Sequence, residues 1–285
     1  MQESVKKFII YFLAILAMVL CLSRFVICKM RWNDVRARRV FHKRNIPLQI
    51  KDTIIDGRHL HYALTGNDTL PLLVFIHGSP GSWFHYMKYM WDTALLKKFR
   101  MAAIDRPGFG FSDYGQALNL EDQSKLLLPL LQRLESGRRI FLFGHSYGAP
   151  LAAKLAAEDP SLCDKLIIAS GALDPSLEEK ETWRHIMEHT PLCWFLPGVF
   201  RQSNTELLYL KKDLVPLAAD LSKITCDVVF IHGSRDSWVP IGNMAYGKKM
   251  MVHAASITCD TIQDGNHNIP WNKREDMKRI LFGLK

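Results

Sequence analysis

The chain is poor in what a stapled, fibrous or many-span protein needs. Its six cysteines in 285 residues include no Cys-x-x-Cys pair and no zinc-like spacing. Cys163, Cys193, Cys226 and Cys259 are scattered and are expected to be buried free thiols. With 17 glycines and 13 prolines the chain is too sparse in both for a collagen-like or low-complexity protein. A mean hydropathy of −0.03 excludes a bundle of membrane spans, and no internal repeat is visible. Charge of one sign is also scarce over most of the molecule. The net charge is +9, but residues 1–50 alone carry ten Lys and Arg against Glu3 and Asp34, which leaves about +1 for residues 51–285. So neutral a body offers no basic face to DNA or RNA, and no nucleic-acid partner is expected.

What is present fits one globular domain behind a distinct N-terminal segment. The chain is 48% hydrophobic and 23% charged, and at this length it can bury roughly three quarters of its unfolded surface without staples. Residues 8–23 carry no charge, and with Arg24 near the edge the apolar run reaches Cys28. At about 1.5 Å per residue the stretch 8–28 spans roughly 31 Å, enough to cross a hydrocarbon core of about 30 Å. Residues 1–47 are therefore read as a single-pass anchor, touching membrane lipid through 8–28, followed by a basic linker. A signal peptide cleaved near Cys21-Leu22-Ser23 and a helix lying on the surface are the alternatives. Seven Lys and Arg follow the run between residues 29 and 44 and two precede it. The positive-inside rule then turns the body to the cytoplasm, and the basic stretch could lie against anionic head groups at about 1 kcal/mol per residue.

Residues 48–285 alternate short β-rich runs with longer helical ones. Strands are predicted at 48–55, 58–64, 71–76, 100–104, 139–143, 165–169, 227–231 and 256–262, and helices at about 83–98, 119–135, 147–158 and 271–283. Continuous apolar runs such as LLVFI and IFLFG are what a parallel sheet covered on both faces requires. Asp56-Gly57 is a hairpin signal, so the sheet starts antiparallel. The fold class expected is α/β, a mostly parallel eight-stranded sheet flanked by helices. Residues 174–222 separate two strands by far more than a crossover needs and carry Trp183, Trp194, Phe195 and Phe200. A helical lid over a pocket would need such unpaired apolar residues.

Chemistry is concentrated at strand ends. Gly144-His145-Ser146-Tyr147-Gly148 lies between an apolar strand and an alanine-rich helix, the setting of a nucleophile elbow. The turn forces its serine into a strained backbone conformation, and the flanking glycines let strand and helix close. A serine hydroxyl needs a base oriented by a third group. Asp236 follows one strand and His267 another, giving the chain order Ser146, Asp236, His267. Asp174 is the alternative acid. In His77-Gly78-Ser79-Pro80-Gly81, Ser79 offers a backbone N–H where Pro80 has none. Paired with the N–H of Tyr147 it would hold a developing oxyanion.

These loops, with Asp105-Arg106-Pro107-Gly108-Phe109-Gly110-Phe111-Ser112 and Gly265-Asn266-His267, resemble the successive signature loops of the α/β-hydrolase superfamily across residues 48–285. The resemblance implies hydrolysis of a small ester or amide through an acyl-enzyme, with no metal and no organic cofactor. Ester cleavage is the leading expectation. Proline-type aminopeptidases and carbon–carbon bond hydrolases use the same triad and stay open, as does a non-catalytic binding protein on this fold. Epoxide hydrolases and haloalkane dehalogenases need an aspartate where this chain has Ser146. Trp194 and Trp238 are the expected substrate-contacting side chains. His185-Ile186-Met187-Glu188-His189 has a zinc-protease spacing but no identified third ligand, so no metal is expected. His77, His145 and His232 read as structural, Arg106 as a loop anchor, and Tyr147 as a pocket or packing residue.

Overall fold

The computed structural model describes residues 2–284 except Ser136, Lys180 and Pro197, and their side chains except at 2, 23–30, 194 and 195. Among the described residues one helix, α1 (Gln2–Met30), is long and apolar enough to cross a membrane; none of its Glu3–Leu22 window is buried. It is followed by α2 (Asp34–His42), β1 (Leu48–Ile55), β2 (Arg58–Thr65) and β3 (Leu72–Ile76). A 3₁₀ turn at Trp83–Tyr86 leads into two short helices, α3 (Met87–Met90) and α4 (Thr93–Leu96). Then come β4 (Arg100–Ile104), α5 (Leu120–Glu135), β5 (Ile140–His145), α6 (Gly148–Glu158) and β6 (Lys165–Ala169). The long excursion holds α7 (Thr182–His189) and α8 (Gly198–Asp220). The chain closes with β7 (Asp227–Gly233), α9 (Gly242–Met250), β8 (Ser256–Ile262), α10 (Ile269–Asn272) and α11 (Arg274–Gly283).

The eight strands form one sheet in the order β1-β2-β4-β3-β5-β6-β7-β8, and only β2 runs against the rest. The β1–β2 turn puts Asp56 at φ +48° and Gly57 at +75°, the left-handed pair that matches strand twist in a two-residue hairpin. β3 and β5, paired at the centre, are buried along their whole length. Their alternate residues feed two cores. Leu72, Val74, Ile76 and Leu142 meet α5, α6 and α8 on one face; Leu73, Phe75 and Phe143 meet the Trp83 turn, α3 and α11 on the other. The expected strands thus form with ends shifted by a residue or two. The helix expected over 83–98 is broken into three short pieces, and α9 has no counterpart among the predicted helices. Cys163, Cys193 and Cys226 are buried, but Cys259 is exposed on the edge strand β8, contrary to expectation.

Residues 31–47, the later part of the stretch read as anchor and basic linker, are docked on the body. Asn33 caps α2 by accepting from the Val35 and Arg36 N–H groups at 2.8 and 3.3 Å. Ala37 and Phe41, one turn apart, are fully buried, with Phe41 against Trp91 at a ring separation of 5.5 Å. Arg31 donates to Gly110 O and stacks over Tyr114 at 4.0 Å, and Arg38 donates to Ile50 O of β1. His61 on β2 completes the attachment between Asp34 of α2 (3.2 Å) and the buried Asp105 (2.8 Å).

Burial alone would lower the His61 pKa, but hydrogen bonds and charge from Asp105 and Asp34 outweigh it and raise it to about 9. The sign follows: a folded pKa above the ordinary 6.5 stabilises the fold fully below that value and is lost as pH rises through 9. Thermal unfolding followed from pH 6.5 to 9.5 should therefore show stability falling, by about 3 kcal/mol at the limit. His61→Gln should flatten that dependence.

Candidate active site

The turn from β5 into α6 is set by steric need. A Cβ on Gly144 would meet Gly148 O at 2.3 Å, and one on Gly148 would meet Ile76 O at 2.2 Å. Between them Ser146 is held at φ +54°, a region that non-glycine residues rarely adopt, with its N–H donating to Ala169 O of β6. This turn lifts the hydroxyl off the carboxyl edge of the parallel strands, where the loops after β7 and β8 also arrive.

Those loops bring His267 and Asp236 to it. His267 is buried, with Nε2 3.0 Å from Ser146 Oγ and Nδ1 2.9 Å from Asp236 Oδ2. Burial would raise the Asp236 pKa, but hydrogen bonds from His232, His267 and the Val239 N–H outweigh it and hold the carboxyl well below the usual range. An ionised carboxylate only accepts, so the His267 proton sits on Nδ1 and its Nε2 lone pair faces the serine hydroxyl. That is the arrangement of a general base. The other Asp236 oxygen accepts from the Trp238 and Val239 N–H groups at 3.0 and 2.9 Å, which fixes the carboxylate in place. Asp174 is bonded instead to Ser176. His145 donates through Nε2 to His267 O at 3.0 Å and is kept neutral by burial, its pKa lowered to about 3.

The loop after β3 approaches from the side, so closely that a Cβ on Gly78 would lie 2.9 Å from Ser146 Cβ. Among the described residues neither the Ser79 nor the Tyr147 amide N–H has a hydrogen-bond acceptor. Two unsatisfied donors beside a serine hydroxyl are what an oxyanion site requires. The loop is clamped by Arg106, fully buried, which donates to His77 O (2.8 Å) and Gly78 O (3.1 Å) and pairs bidentately with the equally buried Glu206 of α8 at 2.7 and 2.8 Å. His77 carries its proton on Nδ1, toward Gly78 O, and accepts the Arg106 N–H on Nε2. The phenol of Tyr147 is packed under the Arg106 guanidinium and accepts from Gln123, so only its amide faces the site.

A cavity of about 680 Å³ opens over Ser146 and His267. Trp238 lines it, 71% exposed, its ring 5.0 Å from that of His267. The side chain of Trp194 lies outside the described residues. Among those described, no residue of 174–222 lines the cavity. The helical excursion instead grips the Ser79 loop, through Glu206 and through Ser203, whose hydroxyl accepts from Ser79 Oγ at 2.7 Å. The remaining walls come from residues the sequence did not mark: Trp32 and Arg36 of the N-terminal segment, Met87, Lys88 and Trp91, and Trp271 of α10. The available signal was a tryptophan standing alone in a basic stretch. His185 and His189 lie 6.2 Å apart, but Glu188 is bonded to Asn204 and Thr205, which ties α7 to α8.

Residues 71–194 match a sequence-family model described as alpha/beta hydrolase fold. The chain has the α/β-hydrolase fold. Within it, 52% of the chain is 31% identical to epoxide hydrolase 3 of Xenopus tropicalis, covering 41% of that protein. Another 48% share is 28% identical to the pimeloyl-[acyl-carrier protein] methyl ester esterase of Nitrosospira multiformis, covering 51% of it. The chain spans between 31% and 41% of the epoxide hydrolases it matches from worm, mouse and frog. A solved membrane phospholipase A superposes over 96% of both chains with a TM-score of 0.62 and 18% identity, a likeness of fold.

The Arg106–Glu206 pair makes this α/β-hydrolase domain sensitive to one substitution far along the chain. Glu206→Ala leaves a guanidinium buried without its partner and should cost about 3–5 kcal/mol in denaturant unfolding. Glu206→Gln, which keeps an acceptor oxygen, should cost less.

Proposed function

We propose that the chain is a serine hydrolase that cleaves carboxylic esters through an acyl-enzyme, held at a membrane by α1 with its body on the cytoplasmic side. The observation that carries the chemistry is the His267 imidazole bonded at once to Ser146 Oγ at 3.0 Å and to Asp236 at 2.9 Å. Ser146 Oγ attacks the ester carbonyl carbon while His267 Nε2 takes the hydroxyl proton. Asp236 stabilises the resulting imidazolium, and the Ser79 and Tyr147 N–H groups bind the oxyanion. The C–O bond to the alcohol then breaks, and His267 protonates the departing oxygen. Water repeats the sequence on the acyl-serine: His267 takes its proton, the acid leaves, and Ser146 regains a hydrogen.

The relatives' names divide between epoxide and ester hydrolysis. In the resemblance set out above epoxide opening requires a carboxylate nucleophile, and the hydroxyl of Ser146 favours acyl transfer. The anchor reading rests on the unburied apolar window of α1 and on the cations that follow it; retention in the membrane pellet after alkaline carbonate washing checks it.

Two substitutions test the chemistry. Ser146→Ala should abolish both labelling by a fluorophosphonate probe and turnover of p-nitrophenyl esters. Asp236→Asn should lower kcat about 10⁴-fold without unfolding the protein, because an amide can leave the imidazole in the wrong tautomer. Turnover of alanine or proline anilides above that of esters would move the reading to a peptide hydrolase.

A further inference from the structure

We infer that the cavity selects amphiphilic esters bearing an anionic head group, drawn from the bilayer surface beside α1. The inference rests on the serine-hydrolase reading and adds to it a substrate class and the two residues that choose it.

Much of the cavity lining is apolar, from Met87, Phe84, Trp271, Trp32 and Trp91. Such a wall suits an acyl or alkyl chain. The charged side chains lining the cavity among the described residues, Arg36 and Lys88, are both cations and both exposed, with no carboxylate among them. His85 adds no charge, because burial lowers its pKa to about 4.

The cations near α2 are used unequally. Arg31 is spent on Gly110 O and the Tyr114 ring, Arg38 on Ile50 O, and Arg44 lies over Trp91 at 4.2 Å. Arg36 and Lys88 have no acidic partner among the described residues, and the Arg36 guanidinium lies over Trp32 at 5.3 Å. Two cations without an acidic partner, lining the same cavity as that apolar surface, are complementary to a molecule with an anion at one end and a hydrocarbon chain at the other.

Chain connectivity supplies the location. Trp32 follows the end of the apolar stretch at Cys28 by four residues, at most about 14 Å of extended chain. With 8–28 in the bilayer, the rim of the cavity lies at or just beyond the head groups. The adjoining excursion leaves Trp183, Ile186 and Leu192 exposed, and its helix α8 meets α1.

The test is protection of Ser146 from a fluorophosphonate in the full chain, held in a non-ionic detergent. Dodecyl phosphate should slow labelling at about tenfold lower concentration than dodecanol does, while inorganic phosphate should give no protection. Arg36→Gln and Lys88→Gln should each reduce the preference for dodecyl phosphate about threefold to fivefold, and the double variant should abolish it. Comparing two ligands within each variant keeps the ratio independent of the labelling rate, and the unfolding midpoint verifies the fold. Equal protection by the two dodecyl compounds in the unaltered protein, or an undiminished preference in the double variant, overturns head-group selection. Protection by inorganic phosphate overturns the amphiphile. Absence of any label at Ser146 removes the hydrolase reading itself, a result distinct from both.

Discussion

Three backbones must touch for the site to exist. Gly148 lies against the carbonyl of Ile76, Gly144 against that of Gly148, and Gly78 against Ser146 itself, each closer than a methyl group allows. That contact lets the end of β3 support the turn between β5 and α6, and it holds Ser146 in a left-handed conformation costing of order 1–3 kcal/mol. The central pair β3 and β5, buried along its length, supplies the rigidity that sustains the strain. His267, Asp236 and the free amides are arranged around a hydroxyl whose position is decided by packing rather than by its own preference.

A second constraint is electrostatic. Arg106 carries a full charge where water does not reach, and every group facing it is an acceptor or a ring: two loop carbonyls, Gln123, Glu206, Phe109 and Tyr147. A buried pair of this kind adds little net stability over an apolar replacement, but it tolerates few alternative geometries. Here it couples three otherwise separate elements, the Ser79 loop, α5 and α8, so the helical excursion bears on the site by holding the loop beside Ser146.

Much of this was legible in the sequence because the responsible forces are local. The apolar runs fixed the buried strands, Asp56-Gly57 the hairpin, and the glycine spacing the elbow. Chain order offered both Asp236 and Asp174 as the acid, and only the folded structure puts Asp236 rather than Asp174 against His267. What could not be read depends on partners distant along the chain. α2 is a nine-residue helix that carries three arginines and buries only Ala37 and Phe41, so its docking shows only once Trp91 and Asp105 are folded beneath it. α9 holds two glycines and buries Asn243 and Gly247, leaving no apolar stripe to detect. The aromatic residues of 174–222 suggested a roof over the pocket because composition says that such residues must be covered, not by what.

The attachment of α2 bears on how the protein can be handled. Hydrogen bonds run without a break from Asp34 through His61 to Asp105, whose carboxylate also accepts from the Trp83 N–H at the start of the cavity wall. Trimming the chain to Leu48 to obtain a soluble fragment would strip one side of the binding cleft, uncover the surface beneath Phe41 and leave His61 facing solvent. Residues 31–47 and the body are docked as one unit, and a cut that spares the cavity belongs ahead of Arg31.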